Sequence, residues 1–235
     1  MSEKKERIWE LDALRGLCIL GMIAVHFCFD LQAFGGLRLD LPDWFLFMQQ
    51  YGHVLFILIS GICATLAGKT ARRGLIVLGA GLLVSYVTLM LEFLGGFFGL
   101  GIWFGILHLL GVCMLLYPAF RHLPYWALLA LGALCLALGV CFSRLSVGTP
   151  FLLALGLRPS RLFAGSDYFP IFPHLGWFLI GAALGKTLYR RQKTLLPGVP
   201  ARNPVRRALC LIGRHSLEIY LLHQPILALA ALLVA

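Results

Sequence analysis

The chain alternates between long apolar segments and short polar ones. We predict seven membrane-spanning helices, at about 10–31, 43–67, 74–94, 101–119, 124–142, 170–188 and 208–233. Each segment has about 20 mostly apolar residues, the length that a helix needs to cross the hydrocarbon of a bilayer. Backbone groups in lipid must be hydrogen-bonded within the segment, so the pattern predicts an all-α, polytopic transmembrane helix bundle.

The stretch from Ser143 to Phe169 fits this pattern least well. Its apolar piece, from Pro150 to Leu157, is too short to cross a bilayer. We expect a re-entrant or interfacial helix there, with an eighth full span as the alternative.

Composition agrees with the hydrophobic pattern. Of the 235 residues, 60% are hydrophobic and only 13% are charged, and the mean hydropathy is +0.88. A soluble domain of this size does not need so much apolar surface. The length fits a single integral-membrane domain over residues 1–235 and leaves no room for a separate soluble one.

The net charge of +10 would favour nucleic acid as the partner of a soluble protein. Here the basic residues follow the positive-inside rule, so we expect no nucleic-acid partner. With a cytoplasmic N-terminus, most of the basic residues fall on the cytoplasmic side. The outer segments carry only Arg38, Arg144, Arg158 and Arg161. We therefore predict a cytoplasmic N-terminus and location in a bacterial inner membrane.

The seven cysteines lie mostly inside apolar segments and show no C-x-x-C spacing. We expect them to act as small packing residues, with neither disulfides nor a metal site.

The first predicted span carries ionisable residues, which are costly in hydrocarbon and therefore suggest function. Arg15 and His26 are eleven positions apart, so at about 100° per residue they share one face, about 16 Å apart along the axis. In the predicted topology the outer half of the membrane also contains four other histidines. These are His53, His108, His174 and His223, whereas Arg15 and Arg214 map to the inner half.

This layout suits group transfer across the membrane. A neutral imidazole can act as a general base on a hydroxyl, and guanidinium groups bind phosphate bidentately. A phosphorylated carrier such as coenzyme A, held near the arginines, could present its reactive end to a histidine.

Structural roles are open for each of these residues. A histidine can form an interhelical hydrogen bond. Arg15 can pair with Asp12 or Glu10, and Arg214 can pair with its i+4 neighbour Glu218. Asp30 can cap the first span.

Two other function classes are also open. Intramembrane His and Arg occur in transporters and flippases, although no inverted repeat is visible, and paired histidines can bind haem.

Several segments resemble known membrane acyltransferases. The R-x10-H pattern from Arg15 to His26 is similar to the opening signature of the acyltransferase-3 superfamily. LFILISG at Leu55–Gly61 resembles its second-helix motif, and RHSLEIYLLHQ at Arg214–Gln224 its last-helix motif. The overall likeness is greatest to the heparan-alpha-glucosaminide N-acetyltransferase catalytic-domain family. It is carried by RIWELDALRGLCILGMIAVHFCFDL, GILHLLGVCMLL and FPIFPHLGWFLIGAALGK.

The resemblance implies transfer of an acyl group, typically acetyl from acetyl-CoA, to a hydroxyl or amine of a sugar or glycan outside the cytoplasm. It favours His26 as general base, and we expect His53, His108 or His223 to orient or assist it. We also expect the donor's phosphates near Arg15, Arg214 and, as further candidates, Arg72 or Arg73, and Ser60 or Tyr220 as the oxyanion donor. The expected partners are that acceptor and membrane lipids, and a homodimer is left open.

Overall fold

A computed structural model of the protein describes residues 7–33, 36–95, 99–147, 150–159 and 167–234. The eight α-helices in these residues are α1 (Trp9–Ala33), α2 (Asp43–Leu66), α3 (Thr70–Gly95), α4 (Ile106–Phe120), α5 (Tyr125–Ser143), α6 (Ile171–Leu188), α7 (Pro204–Arg214) and α8 (Ser216–Val234). The predicted all-α class is confirmed. Between α5 and α6, the two-residue strands β1 (Ser146–Val147) and β2 (Arg158–Pro159) pair in parallel.

The helices fit a lipid environment. Five of them, α1, α2, α3, α5 and α6, are long and apolar enough to cross a membrane, and α4 is a shorter apolar helix. Large apolar side chains are exposed on the helices, for example Phe47, Leu75 and Trp126. Such exposure is unfavourable in water but costs nothing against lipid chains. The chain is therefore an integral membrane protein, whereas the number of seven spans and the side of the N-terminus stay predictions.

The segment between α5 and α6 contains a short 3-10 helix, Pro150–Leu155. It lies where a re-entrant or interfacial helix was predicted. At six residues it is far too short to span a bilayer, so it gives no support to an eighth span. Residues 148–149 and 160–166 of this segment lie outside the described residues.

The last predicted span is wrong in one respect, because residues 208–233 do not form a single helix. The chain bends at His215, whose φ of −100° and ψ of 25° depart from helical values. The bend keeps its backbone hydrogen bonds: the His215 N–H donates to Leu211 O at 3.2 Å, and Ile219 N–H donates to His215 O at 2.9 Å. Arg214 and His215 are exposed at the bend, which separates a basic helix, α7, from an apolar one, α8.

The structure divides into two compact units, Met1–Ile59 with Tyr189–Ala235, and Ser60–Leu188. The first contains α1, most of α2, α7 and α8, and the second contains the end of α2 and α3 to α6. The prediction of a single domain over 1–235 stays a prediction.

Close backbone contacts at glycine define the helix packing of the first unit. A Cβ atom added to Gly213 of α7 would lie 1.8 Å from the carbonyl oxygen of Asp12 in α1. One added to Gly16 of α1 would lie 2.1 Å from Leu209 O. Only glycine permits this approach, which fixes α7 across the first half of α1.

The second unit packs α3 on α4 and α5 on α6. Polar residues of α3 hold the loop before α4: Glu92 accepts from Gly101 N–H at 2.5 Å, Thr88 accepts from Ile102 N–H at 3.1 Å, and Ser85 Oγ donates to Ile102 O. At the other end of α4, the Lys186 ammonium donates to Arg121 O at 2.6 Å. The α3 contacts satisfy backbone groups of the loop, and the Lys186 contact satisfies a carbonyl left unpaired at the end of α4.

Candidate active site

A buried carboxylate joins the Ala33 end of α1 to α8. Asp30 is fully buried, and Gln224 Nε2 donates to both of its carboxylate oxygens at 3.1 Å each. A buried charge is tolerated only when hydrogen bonds compensate for the lost water. Asp30 is thus bonded to the neighbouring helix, and it is not merely a cap at the end of the first span.

Two histidines lie beside this pair. The rings of His26 and His223 meet edge to face, with centroids 5.0 Å apart. His26 precedes Asp30 by one helical turn, and His223 precedes Gln224 by one residue. Two of the predicted catalytic residues, far apart in sequence, therefore lie in contact.

His223 is also fixed by Tyr220, one turn earlier in α8. The Tyr220 ring centroid lies 5.2 Å from that of His223, and His223 Nδ1 lies 2.5 Å from Tyr220 O. Tyr220, predicted as an oxyanion donor, thus contacts the histidine pair. We call Asp30, Gln224, His26, His223 and Tyr220 the histidine cluster.

The histidine cluster contains two buried polar atoms without hydrogen-bond partners among the described residues. They are His223 Nε2 and Gln224 Oε1. Leaving such an atom unpaired costs about 1–3 kcal/mol, and unpaired buried groups are rare in folded proteins. These atoms can bind a molecule that donates hydrogen bonds.

Two arginines lie near the other end of the same helix pair. Arg15 donates to Ser216 Oγ at 2.6 Å, and Arg214 Nε donates to Asp12 Oδ2 at 3.2 Å, with 45% of the Arg214 side chain exposed. Ser216 and His223 are seven positions apart on α8, so they lie on the same face. Arg15 therefore contacts the start of α8 and His26 contacts its middle, so the two helices run in the same direction.

The alternative pairings expected for these arginines are not the ones found. Arg15 bonds to a neutral hydroxyl. Arg214 pairs with Asp12, whereas Glu218 lies 3.9 Å from His215. Glu10 is buried and accepts from Thr194 Oγ1 at 2.8 Å and Leu195 N–H at 2.7 Å.

The remaining predicted site residues are distributed over both units. His53 lies in the part of α2 that belongs to the first unit, whereas Ser60 is buried in the second. Arg72 and Arg73 are exposed in the first turn of α3 in the second unit. The roles predicted for these four residues stay predictions.

His108 is placed differently from the histidine cluster, in the second unit. It is buried, Gly105 N–H donates to its Nδ1 at 3.3 Å, and its Nε2 lies 3.3 Å from Ser85 Oγ. Since Nδ1 accepts a hydrogen bond, the neutral ring carries its proton on Nε2 and donates it to Ser85. Nδ1 thus holds the loop before α4 and Nε2 contacts α3, which favours a structural role.

Sequence reasoning missed Asp30 and Gln224 as site residues. A signal for both was present: Asp30 is at i+4 from His26, so it shares the face of α1 that carries His26. Gln224 is adjacent to His223 in a strongly apolar helix. The pairing of α1 with α8 could not be read from the hydrophobic pattern.

The described residues contain no group of three or more His, Cys, Asp or Glu side chains arranged to hold a metal ion. What the fold and the histidine cluster define is a helical membrane protein with buried polar chemistry between its first and last helices.

The catalytic-domain family of heparan-alpha-glucosaminide N-acetyltransferase matches residues 7–225, and the chain belongs to this family. The resemblance noted in the sequence is confirmed, and the family is one of membrane acetyltransferases. The match ends at Pro225, just after the histidine cluster. Neither the curated proteins nor the solved structures contain a match to the chain.

Proposed function

We propose that the protein transfers an acyl group, usually acetyl, from acyl-CoA to a hydroxyl or amine of an extracytoplasmic sugar or glycan. The observation that carries the proposal is the contact between His26 and His223 beside the buried Asp30–Gln224 pair. A general base positioned in a buried site is what acyl transfer to a weakly acidic hydroxyl or an amine requires.

The acceptor would bind at the histidine cluster. His26 and His223 supply the basic nitrogens, and Asp30 supplies a negative charge that stabilises an imidazolium when one of them takes a proton. His223 Nε2 and Gln224 Oε1 can receive hydrogen bonds from the acceptor. The burial of Asp30 and His223 limits access of water, which would otherwise compete as the acceptor.

The donor would bind at the arginine end of α1 and α8. Acetyl-CoA, the donor of this family, supplies an activated thioester and carries phosphate groups. Its phosphates fit Arg15 and Arg214: the bond of Arg15 to Ser216 leaves its charge in place, and Arg214 is nearly half exposed. Guanidinium groups bind phosphate through paired hydrogen bonds.

The positive-inside rule supports a cytoplasmic N-terminus, which puts Arg15 and Arg214 on the side where CoA is found. The histidine cluster then faces the far side, where the acceptor arrives. We propose a bacterial inner membrane as the location, with surrounding lipids as partners.

Purified protein in lipid nanodiscs tests the proposal. Acetyl-CoA and a panel of amino sugars, neutral sugars and envelope glycans are supplied, and release of the CoA thiol is measured together with the mass of the acceptor. We expect a mass gain of one acetyl group and loss of about 100-fold or more in rate for His26→Ala.

His122→Ala is the matched control, because His122 is an exposed histidine bonded to Arg121 in the loop after α4. It should transfer acetyl at the wild-type rate. If no acceptor gains mass, or if His26→Ala equals wild type, the proposal is wrong. Movement of an unmodified sugar into proteoliposomes would instead indicate a transporter.

A further inference from the structure

The hydrogen bond between His223 and Tyr220 fixes which nitrogen of the imidazole carries the proton. His223 Nδ1 lies 2.5 Å from the backbone carbonyl oxygen of Tyr220. A carbonyl oxygen can only accept a hydrogen bond, so Nδ1 must be the donor. In the neutral ring the proton is therefore on Nδ1, and Nε2 has a free lone pair.

That lone pair is buried. His223 is 7% exposed, and among the described residues its Nε2 has no hydrogen-bond partner. Gln224 commits its Nε2 to Asp30, and within the described ranges its Oε1 likewise has no hydrogen-bond partner. Two acceptor atoms on consecutive residues of α8 thus lie within the histidine cluster.

We propose that His223 Nε2 is the atom that takes the proton from the acceptor, and that Gln224 Oε1 is a second hydrogen-bond acceptor for the same molecule. This assignment rests on the proposed function and gives two members of the histidine cluster different roles. His223 acts on the reacting group, whereas Asp30 is a positioning residue that orients the Gln224 amide.

As the acceptor's oxygen or nitrogen bonds to the acyl carbon, its proton moves to His223 Nε2. The carbon–sulfur bond of the thioester then breaks, and the proton passes from Nε2 to the departing CoA sulfur. The products are the acylated acceptor and free CoA, and His223 returns to its neutral form.

The groups around His223 favour this role. Asp30 is hydrogen-bonded to Gln224, the residue that follows His223, so its negative charge stabilises the imidazolium that forms in the step. His26 is the other titratable ring in contact, with the Tyr220 phenol on the opposite side. Two imidazolium groups with centroids 5.0 Å apart repel each other, so His26 stays neutral while His223 holds the proton.

The first experiment needs no substrate. Nitrogen-15 NMR of histidine-labelled protein in nanodiscs reports which ring nitrogen carries hydrogen, and the His223 signals are assigned by their loss in His223→Asn. We expect a protonated Nδ1 and an unprotonated Nε2 at neutral pH. A protonated Nε2 would overturn the proposal.

The second experiment uses His223→Asn in the acetyl-transfer assay. The Asn amide nitrogen takes the place of Nδ1 and can still donate to the Tyr220 carbonyl, but the basic Nε2 is gone. We expect kcat to fall about 100-fold or more, with KM for acetyl-CoA unchanged. The acid limb of the kcat/KM profile should also disappear, because the imidazole whose protonation produces that limb, His223, is gone. His122→Asn is the control, with the wild-type rate and profile.

A rate within tenfold of wild type with the acid limb retained would also overturn the assignment. Failure of the wild-type protein to transfer acetyl to any acceptor would overturn the proposed function, and the catalytic role of His223 with it. The tautomer measurement distinguishes that failure from a wrong assignment of Nε2, since it requires no turnover.

Discussion

The side-chain amide nitrogen of Gln224 in α8 donates to both carboxylate oxygens of Asp30 in α1, at 3.1 Å each. The two residues are 194 positions apart in sequence, so this contact ties the last helix to the first. It also fixes the orientation of the amide, because a carboxylate oxygen accepts only from the NH2 group. The position of Gln224 Oε1 in the histidine cluster follows from that orientation.

The Asp30–Gln224 pair should contribute strongly to stability. Gln224→Leu leaves a buried carboxylate without its donor, and we expect a loss of about 1–3 kcal/mol in unfolding free energy. Asp30→Leu combined with Gln224→Leu should be less damaging than the sum of the single changes, because neither partner is then left unpaired. Thermal unfolding in detergent, followed by tryptophan fluorescence, measures the stability of the wild type, the two single variants and the double variant. Additive effects of the two changes would contradict a direct interaction.

The crossing of α7 over α1 should tolerate no side chain at Gly213. In Gly213→Ala the new methyl group would lie 1.8 Å from Asp12 O, so the helices must move apart. Overpacking usually costs about 1–3 kcal/mol, and we expect the free energy of unfolding to fall by at least that amount. Gly79→Ala in α3 is the matched control, since nothing lies within 4 Å of its added Cβ. That control should be neutral, or more stable by up to about 1 kcal/mol. Equal melting temperatures for the two variants would refute the close crossing.

Arg214 should affect donor binding more than stability. Its pairing with Asp12 is substantially exposed, and such pairs contribute about 0.2–1 kcal/mol. We expect Arg214→Gln to weaken CoA binding about tenfold in isothermal titration calorimetry, with little change in melting temperature. Arg144→Gln is the control, because Arg144 is an exposed arginine at the end of α5 in the second unit. Unchanged CoA affinity in Arg214→Gln would remove this residue from the donor site.

His108 should behave as a structural residue. His108→Leu removes the acceptor of Gly105 N–H and the donor to Ser85, so we expect a loss of about 1–3 kcal/mol in stability. The transfer rate per folded molecule and the pH profile should stay within about twofold of wild type. If His108→Leu instead lowers the rate about 100-fold at unchanged stability, as expected for His26→Ala, His108 is a catalytic residue.

The sequence was most informative about which residues matter and least informative about their partners. Helical periodicity placed Arg15 and His26 on one face of α1, and the cost of burying charge marked both as candidates for function. The same argument could not pair His26 with His223, because the packing of α1 against α8 depends on contacts between residues distant in sequence. The break at His215 was missed since its backbone hydrogen bonds continue through the bend and no proline marks it.

Membrane orientation is the prediction on which the separation of donor and acceptor depends. In a cysteine-free background, Asp40→Cys should react with a membrane-impermeant maleimide in intact cells, because this exposed residue lies between the first two predicted spans. Gly68→Cys and Gly198→Cys should react only after the membrane is opened, since the positive-inside rule places both loops in the cytoplasm. Both glycines have open space around an added Cβ, so a lack of labelling cannot be attributed to burial. Labelling of Gly198→Cys in intact cells would put Arg214 on the side without CoA and refute the proposed path.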